Sequence, residues 1–259
     1  MSRDAVITKL FLFFLLSGPL FQVASQESAQ ASGNFAVGLE AALTDIPGSI
    51  KTRIKNDPAF PSALAKVLDD DPWLRILVDK AHPLPESYEP EDLVVLTYKS
   101  YRAGIADVMT LRKKAERALE EMAAAARAEG IVLTVSSAYR SYAYQAGSFD
   151  RWTRRLGSVE AEKVSARPGK SQHQLGLVVD FGSIANDFAE TGAGRWVRAN
   201  AARFGWSLSY PKGYEDITGY SWESWHYRYV GKELAAFIDT YFEGVQQYAL
   251  AFLHAWERR

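Results

Sequence analysis

The chain has 259 residues, a net charge of -1, 47% hydrophobic and 24% charged residues, and no cysteine. That profile suits a globular protein with one medium domain and an extension, and it offers no general attraction to nucleic acid or anionic lipid. The lack of cysteine excludes disulfides and thiolate metal ligands, so any zinc would need nitrogen and oxygen donors.

Arg3 and Lys9 precede LFLFFLLSGPLF, an apolar run too short to span a membrane comfortably. Val23, Ala24 and Ser25 follow at the positions a signal peptidase reads. Residues 1–25 are therefore expected to be a signal peptide, with an uncleaved membrane anchor as the alternative. No cysteine follows the run to accept a lipid. Either reading implies export to the periplasm or cell envelope. Residues 26–72 are polar and Ala-rich, broken by Pro47, Pro58 and Pro61, and read as a helical extension with short helices at Ala36–Leu43 and Pro61–Leu68.

The main domain is expected over residues 73–259. Leu74–Val78 (LRILV) reads as a short strand before a proline-rich turn. Val108, Leu111, Leu119, Met122 and Ala126 recur at helical spacing, predicting a helix over Ala106–Glu129 capped by Gly130. Ile131–Val135 is β-branched and reads as a buried strand. Helices follow near Ala143–Leu156 and Ser158–Ala166, then a strand over Leu175–Phe181, a helix over Arg195–Phe204 and strands at Trp206–Tyr210 and His226–Val230. Lys232–Trp256 reads as one closing helix with Leu234, Phe237, Ile238, Tyr241, Phe242 and Val245 on one face. Without a repeating βαβ rhythm, the pattern predicts an α+β fold with a small, mainly antiparallel sheet flanked by helices.

Two stretches concentrate the chemistry: SQHQLGLVVDFG from Ser171 and SWESWHYRYVG from Ser221. His173, Asp180 and His226 would give three ligands and leave a fourth position open, the usual form of a catalytic zinc site. Gly176 between the first two suits a turn into a strand. Spacing alone fits a hydrogen-bonded His–Asp pair equally well, since this is not the HExxH helix signature.

SQHQLGLVVDF resembles the S-x-H-x-x-G-x-A-x-D motif of the D-alanyl-D-alanine carboxypeptidase family (VanY-type zinc peptidases), and WESWHYRYVG resembles that family's E-P-W-H-F-R-Y-V-G. SSAYRSYAYQ, YPKGYEDITGY and LVDKAHPLPESYEPEDL extend the likeness, in order, from Trp73 to Val245. The resemblance implies the hedgehog/DD-peptidase-like zinc peptidase fold, zinc held by His173, Asp180 and His226, and Glu223 as catalytic base. It also implies that Arg140 and Ser171 hold the substrate. A turn role for Ser171 and a surface role for Arg140 are the plainer alternatives. Arg140 or Arg228 could receive a terminal carboxylate. Trp225 reads as packing beside the base, Tyr139, Gln145, Tyr210 and Arg228 equally well as scaffold or support, and His82 and His254 as unrelated to the metal. The chain departs from the pattern with Gln172 for Glu, Val178 for Ala and Ser224 for Pro. The last could loosen the loop that carries Glu223.

The implied activity is a zinc-dependent D-alanyl-D-alanine carboxypeptidase that removes the terminal D-alanine from peptidoglycan stem peptides, with those peptides as its partners. L,D-carboxypeptidase, D,D-dipeptidase and D,D-endopeptidase activities are the alternatives within hydrolases. A non-catalytic zinc domain that binds cell-wall peptide is the alternative outside them, and the presence of Glu223 argues against it. A membrane partner follows only if the first segment stays uncleaved, and nothing in the sequence fixes the oligomeric state.

Overall fold

The computed structural model describes residues 33–97 and 108–258. The expected signal peptide lies outside them, as does the predicted helix start at Ala106. The chain divides into two compact units, up to Ala41 and from Ala42 onward. Of the first, only residues 33–41 are described, and they are helical. Everything below concerns the second.

That unit opens with helices α1 (Gly48–Asn56) and α2 (Phe60–Asp69). The Phe60 ring meets Phe237 at 5.5 Å, Tyr241 at 5.0 Å and Phe252 at 5.8 Å, so α2 is tied to the C-terminal helices by aromatic packing. A two-stranded ribbon follows, β1 (Leu93–Val95) against β2 (Thr110–Arg112) with Val94 opposite Leu111. Helix α3 (Lys113–Ala128) then buries Leu119, Met122 and Ala126 completely. The predicted helix over 106–129 therefore begins only at Lys113. Leu111 is wholly buried, but as a strand residue of the ribbon.

The main sheet has four antiparallel strands in the order β3 (Val135–Ser137), β4 (Val178–Phe181), β6 (His226–Tyr229) and β5 (Trp206–Leu208). Strand β3 starts four residues later than the expected Ile131: Val132 is 62% exposed, and although Leu133 and Val135 both reach the core, pairing with β4 begins only at Val135. Helices α4 (Tyr142–Leu156), α5 (Ser158–Val164), α6 (Gly192–Asn200) and the short α7 (Glu215–Thr218) fill the connections. The central strands β4 and β6 are buried along their whole length. Their alternation sorts the side chains by face. Val179, Phe181, Tyr227 and Tyr229 join the hydrophobic core, while Val178 and Asp180 share the other face with Arg228 and His226. This is the α+β architecture expected from the sequence.

Two predicted elements take another form. Leu74–Val78 is not a strand. Pro72–Arg75 is a 3-10 turn, with Pro72 setting its first position. The carbonyls that a sheet partner would satisfy instead accept from an arginine: Arg228 Nη2 donates to Leu74 O and Ile76 O, each at 2.9 Å. The closing helix is also broken, into α8 (Lys232–Tyr241) and α9 (Gln246–Glu257). Glu243 (φ 57°) and Gly244 (φ 73°) are both left-handed, and Gly244 N–H reaches back to Ile238 O at 3.2 Å. The break lets Phe237 and Phe252 face each other at 6.4 Å and bury apolar faces of both helices.

Candidate metal centre and active site

The centre is built on the register of two strands. Asp180 on β4 stands directly opposite His226 on β6, so their side chains project side by side from one face. His173 arrives from the 3-10 turn Gln172–Leu175, which ends on Gly176 in a left-handed conformation (φ 68°). A Cβ at Gly176 would come within 2.9 Å of Leu93 and 3.0 Å of Arg112, so only glycine makes this turn into β4. Ser171 caps the turn by accepting from His173 N–H at 3.3 Å.

The three side chains converge. One ligand atom from each of His173, Asp180 and His226 lies within 4.8 Å of the others, and all three residues are buried. His173 Nε2 is 3.3 Å from Asp180 Oδ2, and His226 Nδ1 is 3.3 Å from Asp180 Oδ1. His173 Nδ1 lies 2.6 Å from Ala138 O, which accepts its proton and leaves Nε2 with a free lone pair facing the others. Asp180 Oδ1 has no aligned hydrogen-bond donor despite its burial. A fixed tautomer, an orphaned buried carboxylate oxygen and two imidazole nitrogens around one point fit a divalent ion such as zinc.

The electrostatics point the same way. Burial, helped by the Arg140 charge, pushes His173 down to about 4, so it is neutral and able to ligate. For His226, burial works against the charged form, but hydrogen bonding and charge from Asp180 and Glu223 outweigh it and raise the group to about 9. Asp180 is buried too, yet the two histidines and Arg140 hold it well below the usual carboxylate range. Two carboxylates thus demand positive charge at the point where the ligand atoms meet.

Glu223 Oε2 lies 3.2 Å from His226 Nδ1, and its side chain is only 14% exposed. Burial raises its pKa despite the opposing pull of His226. Arg140 follows β3, where a bulge sets Ser137 opposite Asp180. Its Nη2 is 2.7 Å from Asp180 Oδ2, and its Nε donates to Ser137 Oγ at 2.9 Å. Arg140, Ser171, Glu223 and the three converging residues all border one cavity of about 490 Å³. Helix α4 contributes Tyr144, Ser148 and Trp152 to its lining, together with Ile184, Asn186 and Trp222 from other segments.

Several expectations are sharpened. Arg228 is fully buried and spends Nη2 on Leu74 O and Ile76 O, so it does not border the cavity and cannot receive a substrate carboxylate. Trp225 packs against the core, borders the cavity, and gives its carbonyl to Phe181 N–H at 3.0 Å. The Tyr210 ring packs against His226 with centroids 4.7 Å apart at 56°, and Gln145 donates to Ala166 O at 2.7 Å. Gln172 joins a buried network, accepting from Ser209 Oγ at 2.7 Å and donating to Gln246 Oε1 at 3.3 Å. His82 and His254 face each other elsewhere, 4.8 Å apart. Trp152 and Asn186 escaped the sequence reading, since they lie outside the recognisable motifs, and so did Trp222, which lies inside one but, as an aromatic side chain, carries no spacing signal.

A largely buried carboxylate beside a group able to hold a divalent ion, in an α+β frame of this kind, is the arrangement of a metallopeptidase, and the comparisons with known proteins place the chain in that class. Residues 108–232 match the family model for VanY, D-alanyl-D-alanine carboxypeptidase. YodJ of Bacillus subtilis (strain 168) is 40% identical over 184 residues, covering 66% of this chain and 67% of that protein. The LdcB LD-carboxypeptidase, whose structure shows peptidoglycan recognition, superposes with a TM-score of 0.58 at 38% identity, over 65% of this chain and 85% of that one. A variant of the vancomycin-resistance D,D-pentapeptidase VanY, in complex with Zn(II), gives a TM-score of 0.56 at 34% identity, over 67% and 96%. The chain belongs to the VanY D-alanyl-D-alanine carboxypeptidase family.

Proposed function

We propose that the protein is an exported zinc D-alanyl-D-alanine carboxypeptidase that hydrolyses the terminal D-alanine from peptidoglycan stem peptides. The observation that carries this reading is the placement of Glu223, 3.2 Å from His226 Nδ1 and facing the same cavity as Arg140. His173, Asp180 and His226 would hold the zinc. A zinc ion there supplies Lewis acidity, polarising a carbonyl and acidifying water.

The remaining work falls to the chain's own groups. Glu223 takes a proton from the attacking water and passes it to the departing amine as the peptide bond breaks. Its raised pKa brings it closer to neutral pH, where one carboxyl can serve in both directions. Arg140 offers a fork, anchored through Nε on Ser137, to a carbonyl or carboxylate of the peptide. Ser171 borders the cavity with its hydroxyl engaged at His173 N–H, so its substrate contact would use the donor side of that hydroxyl.

Export is supported by the basic and apolar N-terminal segment of residues 1–25. A second reading, L,D-carboxypeptidase activity, is favoured by the 38% identity to LdcB. Incubating the protein with purified muropeptides, with and without a chelator, and weighing the products separates them. Chelator-sensitive loss of the terminal D-alanine from pentapeptides supports the first, and trimming of tetrapeptides supports the second. No metal-dependent change in any muropeptide would sink both.

A further inference from the structure

Glu223 stands on a coil rather than on the sheet, so something other than strand register must fix it. Its own N–H donates to Tyr210 O at 3.1 Å, and its carbonyl accepts from His226 N–H at 3.3 Å. The peptide groups on either side of it are held by a single side chain. Asn186 Nδ2 donates to Trp222 O at 3.1 Å, and Asn186 Oδ1 accepts from Ser224 N–H at 3.1 Å. The Ser224 hydroxyl also reaches Asn186 O at 3.5 Å. The carboxamide therefore bridges the residues before and after Glu223, as a paired strand would.

Its support is firm. Asn186 opens the 3-10 turn Asn186–Glu190, and that turn is anchored by Phe188, which is 3% exposed. A Cβ on Gly182 would lie 2.5 Å from the Phe188 ring, and one on Gly194 would collide with the Phe188 carbonyl. Two glycines thus make the seat in which Phe188 holds the turn. Ser183 Oγ adds a bond to Asp187 Oδ1 at 2.8 Å.

We infer that Asn186 is a positioning residue for Glu223, replacing in this chain the rigidity that proline gives at position 224 in the family pattern. A proline after Glu223 would confine Glu223 to extended backbone, and it would have no N–H to donate. Serine imposes no such limit, and its N–H is the one Asn186 holds. The inference rests on Glu223 being the base.

The test is a rescue. Asn186→Ala should lower kcat about tenfold with KM nearly unchanged, because the loss falls on placement of the base rather than on substrate binding. Zinc affinity and melting temperature should stay at parental values, while hydrogen exchange at the Ser224 amide accelerates. In that background Ser224→Pro should return kcat to within about threefold of the parent, proline supplying the lost restraint. A rise in KM at constant kcat would make Asn186 a substrate contact and overturn the inference. Loss of zinc or of melting temperature in step with kcat, or no rescue by proline, would overturn it as well. Glu223→Gln, assayed alongside, separates the two failures. If that variant turns over, the assignment of the base falls, while Ser224 exchange still reports whether the clamp exists.

Discussion

The four histidines form two pairs with nearly the same separation. His173 and His226 have ring centroids 4.9 Å apart at 86°, and His82 and His254 lie 4.8 Å apart at 65°. Each pair has an aspartate in contact, since His82 Nδ1 is 2.8 Å from Asp79 Oδ1. Only the first can hold a metal. Asp180 reaches both of its histidines and lies between them, whereas Asp79 bonds His82 and otherwise accepts from Ala81 N–H at 2.8 Å and Gln247 Nε2 at 2.7 Å. His173 is locked by Ala138 O, but His254 Nε2 faces the Arg258 guanidinium at 3.3 Å, where a cation is unwelcome. Proximity of imidazoles is thus a poor criterion. A shared carboxylate, a pinned tautomer and burial make the difference.

Removing a residue from each pair breaks the comparison most sharply. His226→Ala should abolish stoichiometric zinc binding and with it turnover, losing at least about a thousandfold in affinity because one of three ligands is gone. Metal content after dialysis reads this directly, and a variant that kept its zinc would remove His226 from the ligand set. Next in size is the linkage to protons. With His226 raised to about 9 and His173 lowered to about 4, the metal-free centre carries one proton at pH 7, on His226. Zinc must displace it, so apparent affinity should fall about tenfold per unit as pH drops below 9, and level off above. Titration calorimetry at pH 7 in buffers of different ionisation enthalpy should show release of close to one proton. No release would mean His226 is already neutral.

Arg140→Lys comes third. A lysine cannot keep both the Ser137 and the Asp180 contacts and still present a planar fork, so kcat/KM should fall about ten- to a hundredfold with zinc retained. Steady-state kinetics on a D-alanyl-D-alanine peptide measure it, and an unchanged value would make Arg140 a surface residue. The smallest effect belongs to the other pair. His82→Ala should change kcat/KM by less than about twofold and leave zinc content intact, since exposed polar substitutions of this kind rarely act at a distance. A loss of zinc in that variant would contradict the contrast between the pairs.

The sequence was most informative where chemistry is scarce. With two of its four histidines in the paired motifs and no cysteine, His173, Asp180 and His226 stood out, and the β4–β6 register brings them together. The α+β class was readable from the mix of periods. What escaped were features decided by distant partners. Leu74–Val78 has strand composition, but Arg228, more than 150 residues away, satisfies its carbonyls and leaves it a turn. The break at Glu243–Gly244 sits inside a continuous apolar stripe, because both halves bury their faces after the reversal. Ser224 looked like a loosened loop, since its compensating partner Asn186 belongs to no motif.

The central claim is that one group of side chains holds the metal while Glu223 moves the proton. Glu223→Gln tests it most directly, with zinc content and D-alanine release measured on the same preparation. The amide keeps the size of the side chain but cannot accept a proton, so zinc should remain stoichiometric while kcat falls by at least about a hundredfold. Release of D-alanine near the parental rate, with zinc bound, would contradict the account.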